Sequence, residues 1–86
     1  MNLPRDLSGT ELAKALGRLG YRTTCQSGGH MRLTTMDGGQ HHVTVPNHES
    51  LKLGTLAGIL SDVAAHFQIT RDELLKRLFG SFAATP

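Results

Sequence analysis

Two glycine pairs divide the middle of the chain into three short segments, and this pattern constrains the fold more than any other feature. Each segment alternates polar with apolar residues or is rich in residues that favour strands. The segments are residues 21–26, residues 31–36 and residues 42–46, separated by Gly28-Gly29 and Asp37-Gly38-Gly39. Tight glycine turns between alternating segments are typical of antiparallel hairpins, and a proline at position 46 must end a strand or lie at an edge. The pattern therefore predicts a three-stranded antiparallel sheet.

Helical patterns flank the three predicted strands. Ser8 and Glu11 form a capping-box pattern that opens a first helix, and Gly20 is expected to end it. From Thr55, apolar residues recur at helical spacing as far as Phe67, which predicts a second helix. Thr70 predicts the start of a short third helix, which Gly80 should end.

The predicted fold class is therefore α+β, with the order α-β-β-β-α, an additional short C-terminal helix, and the helices on one face of the sheet. The 86 residues should form one domain, with an ordered core over about 7–80 and a short flexible tail at 81–86. The single cysteine, Cys25, excludes an internal disulfide, and we expect a buried structural thiol rather than a nucleophile. We find neither the apolar core of a signal peptide nor an apolar run that could span a bilayer, so we expect a cytoplasmic protein that does not bind membranes.

The turn before the second strand carries the strongest candidate for chemistry. Alternation puts Met31 and Leu33 on the covered face of the sheet, so His30 and Arg32 should lie together on the face that contacts water. In the third strand, Val43 and Val45 should face the core. The first 36 residues contain five basic and two acidic residues, whereas the rest of the chain sums to −1. The positive charge is thus concentrated in the part of the chain that holds His30, although scattered arginines are more often only solvated.

With this order of elements, the residues resemble the HicA (YcfA-like) toxins of bacterial toxin–antitoxin pairs. The resemblance covers nearly the whole chain and depends on these segments: Gly20-Tyr21, Gln26-Ser27-Gly28-Gly29-His30, Val43-Thr44-Val45-Pro46-Asn47-His48 and Leu51-Lys52-Leu53-Gly54-Thr55-Leu56. It implies a fold like the double-stranded-RNA-binding domain and an mRNA endonuclease that a HicB-type antitoxin neutralises. In that family the functional histidine ends a Gly-Ser-His triplet, so Gly29 replaces the usual serine, and Met31 stands where a second histidine is common.

Given the resemblance, we expect His30 to be the catalytic residue of a metal-independent cleavage, as general acid or base. RNA supplies its own nucleophile, the 2′-hydroxyl, and a histidine pKa near about 6.5 suits proton transfer. Arg32 and Lys52 are candidate phosphate ligands, and the Gly28 and Gly29 amides should approach the RNA backbone. The second proton-transfer group is left open between His42 and His48, although either could be a plain surface histidine.

A metal site is not expected, because His41 and His42 are strand neighbours that should point to opposite faces. No cofactor is expected either. Two other readings of the surface stay open. One is a non-catalytic RNA-binding module with the same fold, in which His30 only contacts RNA. The other is a domain that binds only proteins.

Overall fold

The computed structural model describes Leu3 and residues 6–80, and the tail expected at 81–86 lies outside this range. The elements are α1 (Gly9–Leu16), a 3₁₀ turn (Gly17–Leu19), β1 (Arg22–Ser27), β2 (His30–Thr35), β3 (His41–Pro46), α2 (Leu53–Phe67) and α3 (Arg71–Phe79). The order of helices and strands confirms the predicted α+β class. β1 begins and ends one residue later than predicted, β2 begins and ends one residue earlier, and β3 begins one residue earlier.

The three strands form one antiparallel sheet in the order β1-β2-β3. On the β1 side of β2, Ser27 lies opposite His30 and Cys25 lies opposite Arg32. On the β3 side, His30 lies opposite Pro46 and Arg32 opposite Thr44. β1 contains a bulge, because the register shifts between Thr23 and Cys25. His30 and Arg32, the outward basic residues of β2, therefore lie in the middle of the sheet, with a strand on each side.

Helix α1 begins at the predicted capping box. The Ser8 hydroxyl accepts a hydrogen bond from the Glu11 amide at 3.0 Å, and the Glu11 carboxylate accepts one from the Ser8 amide at 2.9 Å. The Ser8 amide, and after it the Ser8 hydroxyl, favour the ionised form of the carboxylate and so lower the pKa of Glu11. Gly20 ends the helical segment as predicted, although the last turn before it, Gly17–Leu19, is 3₁₀ and the α-helix itself ends at Leu16. The reason is the left-handed Gly20, with a φ of 85°, whose amide bonds to the Gly17 carbonyl in a Schellman-type ending.

Helix α2 begins at Leu53, two residues before the predicted start at Thr55. The Lys52 carbonyl accepts from the Leu56 amide at 2.9 Å, which extends the helix beyond the apolar stripe that predicted it. Helix α3 begins at Arg71 with Thr70 as the predicted cap, whose hydroxyl accepts from the Glu73 amide at 3.1 Å. No helix within the described residues is long and apolar enough to cross a membrane.

The core lies between the three helices and one face of the sheet. The sheet contributes Met31, Leu33, Val43 and Val45, all at most 6% exposed, which confirms the predicted faces of β2 and β3. The fully buried helical side chains are leucines and one valine: Leu12, Leu16, Leu56, Leu60, Leu74, Leu78 and Val63. The helices therefore cover one face of β2 and β3 and leave the other face in contact with water.

Strand β1 differs from the other two strands because all six of its residues are exposed. The expectation of a buried thiol at Cys25 was therefore wrong, since Cys25 is exposed. Sequence alternation predicted a strand here but could not show that the helical layer stops short of it. The first strand is thus held mainly by its hydrogen bonds to β2.

Candidate functional site

The sheet face opposite the helices, which we name the open face, brings together most of the predicted site residues. It is formed by the outward-facing residues of the three strands: Arg22, Thr24, Cys25, Ser27, His30, Arg32, Thr34, His42 and Thr44. His30 and Arg32 lie two residues apart in β2 and both are exposed, as alternation predicted. No Phe, Tyr or Trp lies on this face within the described chain. The surface therefore offers basic and hydrogen-bonding groups without aromatic rings for stacking.

A two-residue turn delivers His30 to the start of β2. Gly28 has a φ of 58°, a left-handed conformation that glycine adopts at little cost, whereas Gly29 does not have a positive φ. A positive φ at the first turn position alone is the pattern of a type II′ hairpin turn. A Cβ added at Gly29 would meet nothing within 4 Å. Only Gly28 therefore requires glycine for the turn itself, and the space around Gly29 is open to a ligand.

The residues after β3 return to the same end of the sheet as His30. Beyond the pair of His30 and Pro46, the Asn47 amide donates to the Gly29 carbonyl at 2.6 Å. The next residue, His48, is exposed, and its carbonyl accepts from the Gly9 amide at 2.9 Å. Backbone hydrogen bonds therefore hold His48 beside the turn that precedes His30.

The start of α1 packs closely against this end of the sheet. A Cβ added at Gly9 would lie only 2.0 Å from the Pro46 carbonyl oxygen, so no larger residue fits without a shift of the backbone. The Leu51 amide also bonds to the Leu7 carbonyl at 2.7 Å. Lys52 follows directly and is exposed at the residue before α2. The segment from Pro46 to Lys52 is thus fixed by helix α1 and the residues that precede it.

His42 occupies a different part of the open face. It pairs with Thr34, whereas His30 pairs with Pro46, so four residues of β3 separate the two positions. At about 3.3 Å per residue this is about 13 Å along the strand. His48 is only two residues beyond Pro46. Along the chain, His48 is therefore closer than His42 to the strand partner of His30, and the residue before His48 is bonded to the turn that precedes His30.

A hydrogen-bond chain across all three strands holds the His42 ring. Nδ1 of His42 lies 2.7 Å from the Thr34 hydroxyl, and that hydroxyl lies 3.0 Å from the Thr24 hydroxyl. The Thr24 hydroxyl donates to the Arg32 carbonyl at 3.3 Å. The sequence pattern did not predict this chain, because the β-bulge that brings Thr24 to Thr34 leaves no clear sequence signal.

A second histidine cluster lies on the other side of the sheet and was also missed by the sequence analysis. The Tyr21 hydroxyl and Nδ1 of His41 are 2.6 Å apart, and Nε2 of His41 lies 3.6 Å from Asp62. His66 stacks on His41 with ring centroids 4.4 Å apart, and its Nε2 donates to the Asp37 carbonyl at 2.9 Å. We name these four side chains, Tyr21, His41, Asp62 and His66, the inner histidine cluster.

Tyr21 is 3% exposed, and burial is the main reason that its pKa is raised to about 12, with the negative charge of Asp62 adding to the effect. The tyrosine therefore stays neutral at physiological pH and stabilises the cluster as a hydrogen-bonding group. Because His41 belongs to this cluster, it points away from His42, as the alternation argument predicted. Within residues 6–80, no group of three or more His, Cys, Asp or Glu residues has the geometry of a metal site.

The family model for the HicA toxin of bacterial toxin–antitoxin systems matches residues 9–64, about two thirds of the chain. The chain belongs to the HicA toxin family. This HicA chain is therefore the toxin of a toxin–antitoxin system and has an antitoxin as its partner. The matched range includes the open face, the Gly28-Gly29 turn and the start of α2, whereas α3 lies beyond it.

No curated protein and no solved structure gave a significant match to this HicA chain. The family assignment therefore depends on the family model, and it agrees with the resemblance found in the sequence. The roles of individual residues have to be argued from the geometry of the open face.

Proposed function

We propose that this HicA chain is an endoribonuclease toxin that cleaves mRNA without a metal ion, in the cytoplasm, and that a HicB-type antitoxin neutralises it. The observation that carries the proposal is the position of His30. Its imidazole is exposed at the end of a glycine turn, two residues from Arg32, on a face that the chain leaves uncovered. Membership of the HicA family supplies the toxin class, and the open face supplies a surface for RNA.

The chemistry needs a group that moves protons and a group that balances negative charge. In the proposed reaction, the ribose 2′-hydroxyl loses its proton and attacks the adjacent phosphorus, and the bond to the 5′-oxygen of the next nucleotide breaks. The products are a 2′,3′-cyclic phosphate and a 5′-hydroxyl, which takes up a proton. His30 acts as the base or the acid in these steps, because an imidazole exchanges protons near neutral pH.

The residues around His30 have supporting roles in this proposal. Arg32 binds the phosphate and stabilises the charge that develops in the transition state. The exposed Gly28 and Gly29 leave room for the RNA backbone, as the open space around their Cα atoms supports. Lys52, at the start of α2, binds a neighbouring phosphate as a point charge.

His48 is the better candidate for the second proton-transfer group. Two groups that act on one phosphodiester must both lie within hydrogen-bond reach of it. The register places His42 four residues from the partner of His30, whereas His48 follows that partner by two residues, next to the Asn47 amide that bonds to Gly29. A second test therefore compares His48→Ala with His42→Ala, and the larger loss of kcat is expected for His48→Ala.

The first test is replacement of His30 by alanine in the purified protein. We expect RNA cleavage to fall by about 10²- to 10⁴-fold, the usual contribution of a general acid or base. The wild-type rate should be unchanged by a chelator, and the cleaved ends should carry the cyclic phosphate. Lys76→Ala, an exposed change on α3, is the matched control and should retain full activity.

Undiminished cleavage by a folded His30→Ala variant would overturn the catalytic role of this residue. Tight binding of RNA by the wild type without any cleavage would instead favour the alternative function, a non-catalytic RNA-binding module. Growth arrest on expression, relieved by His30→Ala, separates these two outcomes in the cell.

A further inference from the structure

The geometry points to a second RNA subsite at His42, in which Nε2 accepts a hydrogen bond from a ribose 2′-hydroxyl away from the cleaved phosphate. The inference rests on the proposed function, since it names a further contact with the same RNA. It concerns binding and not catalysis, so His42 is a positioning residue here. The hydrogen bonds that run from His42 through Thr34 and Thr24 to the Arg32 carbonyl decide which nitrogen of the ring can accept.

Each threonine hydroxyl in this series of hydrogen bonds has one proton to donate, so the direction of every bond can be assigned. The Arg32 carbonyl only accepts, so the single hydroxyl proton of Thr24 is used in the bond to it. The Thr34 hydroxyl must then donate to Thr24, which uses its own single proton. Thr34 can therefore only accept from His42, and Nδ1 of His42 must carry the proton. The direction of each hydrogen bond therefore follows from the direction of the one before it.

This assignment fixes the chemical character of the exposed side of the ring. With the proton on Nδ1, Nε2 of the neutral His42 is a bare acceptor. Within the described part of the chain, Nε2 makes no hydrogen bond, and the His42 side chain is exposed. The structure thus presents an oriented acceptor to the solvent, on a face that carries the catalytic candidate.

The surroundings of His42 favour a sugar over a base as its partner. His42 pairs with Thr34, Arg22 lies opposite Thr34 in β1, and Arg32 lies two residues before Thr34 in β2. Both cations therefore share the open face with His42. Cations attract the phosphates of RNA, and this face has no Phe, Tyr or Trp on which bases could stack. The sugar-phosphate backbone is therefore the part of RNA that would lie against the strands. The donor that its ribose carries is the 2′-hydroxyl, a group that DNA lacks.

The register also sets how far this contact lies from the cleaved phosphate. His42 and His30 are separated by about 13 Å along the strands. Because a stacked strand rises about 3.4 Å per nucleotide, the contacted ribose lies no more than about four nucleotides from the cleavage point. Substrates shorter than this span cannot use the subsite.

The decisive experiment measures binding with single 2′-deoxy substitutions walked along a single-stranded RNA. His30→Ala protein is used so that the RNA stays intact. We expect one substituted position, within about four nucleotides of the cleavage point, to weaken binding about fivefold, as the loss of one hydrogen bond would. In the double variant His30→Ala/His42→Ala, the unmodified RNA should bind about fivefold more weakly and that position should no longer matter.

Two further variants separate positioning from folding. His42→Asn keeps an amide near the Thr34 hydroxyl but does not reach outward, so it should behave like His42→Ala. Thr34→Val keeps the shape of the strand and removes the acceptor that fixes the ring, so it should reduce the sensitivity to the same 2′-deoxy position. Lys76→Ala is the control, and all variants should unfold at the same temperature as their parent.

The outcomes distinguish this subsite from the nuclease itself. A His42-dependent 2′-deoxy position in a protein that never cleaves RNA would support the subsite and overturn the proposed cleavage. Cleavage that depends on His30 without any His42-dependent position would overturn the subsite alone. A lower kcat with unchanged binding in His42→Ala would also overturn it, because His42 would then act on the reaction.

Discussion

His41 and His42 are neighbours in one strand, yet they lie in opposite environments. His41 joins the inner histidine cluster, where its ring is contacted by Tyr21, just before β1, and by Asp62 and His66 of α2. His42 lies on the open face, where one hydrogen bond to Thr34 orients a ring that is otherwise exposed. The comparison teaches that the same residue type contributes to stability where its polar atoms are paired and is available to a ligand where one nitrogen is left free. The predictions below test that contrast.

The largest expected difference is in stability between alanine variants of the two neighbours. His41→Ala should lower the free energy of unfolding by about 2 kcal/mol, because the buried Tyr21 hydroxyl loses its partner and the stack with His66 is lost. His42→Ala should change it by less than about 0.5 kcal/mol, as is usual for an exposed site. Urea denaturation of the two variants measures both values. An equal decrease in the free energy of unfolding for both variants would contradict the difference between the paired His41 and the exposed His42.

An intermediate effect is expected from alkaline titration of Tyr21, the one tyrosine in the chain. Its pKa is raised from 10.0 in its ordinary state to about 12 in the folded protein. Folding therefore favours the neutral phenol, and the resulting stability is fully present below pH 10 and is lost as the pH rises towards 12.

The measurement is the near-ultraviolet absorbance of tyrosinate, combined with urea denaturation across this pH range. Tyr21→Phe should lose about 1 kcal/mol at neutral pH, the usual value of one hydrogen bond. In this variant, the free energy of unfolding should also lack the decrease at alkaline pH that ionisation of the Tyr21 phenol causes. A tyrosine that titrates with an ordinary pKa in the folded protein would contradict the buried cluster.

The smallest effects are expected in the turn before His30, where two adjacent glycines differ. Gly28→Ala should cost about 1 kcal/mol, because alanine is strained at a positive φ. Gly29→Ser should leave stability within about 0.5 kcal/mol, since a Cβ there meets nothing within 4 Å. It would also restore the serine of the family triplet. We expect a severalfold rise in the rate of RNA cleavage, and a lower rate would show that the open space at Gly29 is itself used by the substrate.

Most of the fold could be predicted from the sequence because its signals are local. The Ser8 capping box, the Gly28 turn and the alternation in β2 and β3 each specify a few neighbouring residues, and each was confirmed. The 3₁₀ turn after Leu16 and the early start of α2 were missed, because backbone hydrogen bonds set these ends and apolar spacing does not report them.

The candidate site was predictable only in part. Alternation placed His30 and Arg32 together on the exposed face, since a strand has a fixed period of two. The link from Thr24 through Thr34 to His42 depends on a bulge and on strand register, and the inner histidine cluster depends on the packing of α2 against β3. The spacing of residues along the chain predicts neither the hydrogen bonds to His42 nor the contacts of the inner histidine cluster. The exposure of Cys25 was missed for the same reason, because it depends on where the helical layer ends.

The uncovered first strand has a consequence for motion. β1 buries no side chain, so little apolar contact opposes its separation from β2. Amide protons of β1 should therefore exchange with solvent through local opening, faster than those of β3, whose inward side chains are packed against helices. His30 lies where β1 joins the better-packed β2. The hairpin of β1 and β2 can therefore move to fit a bound ligand while the core stays folded.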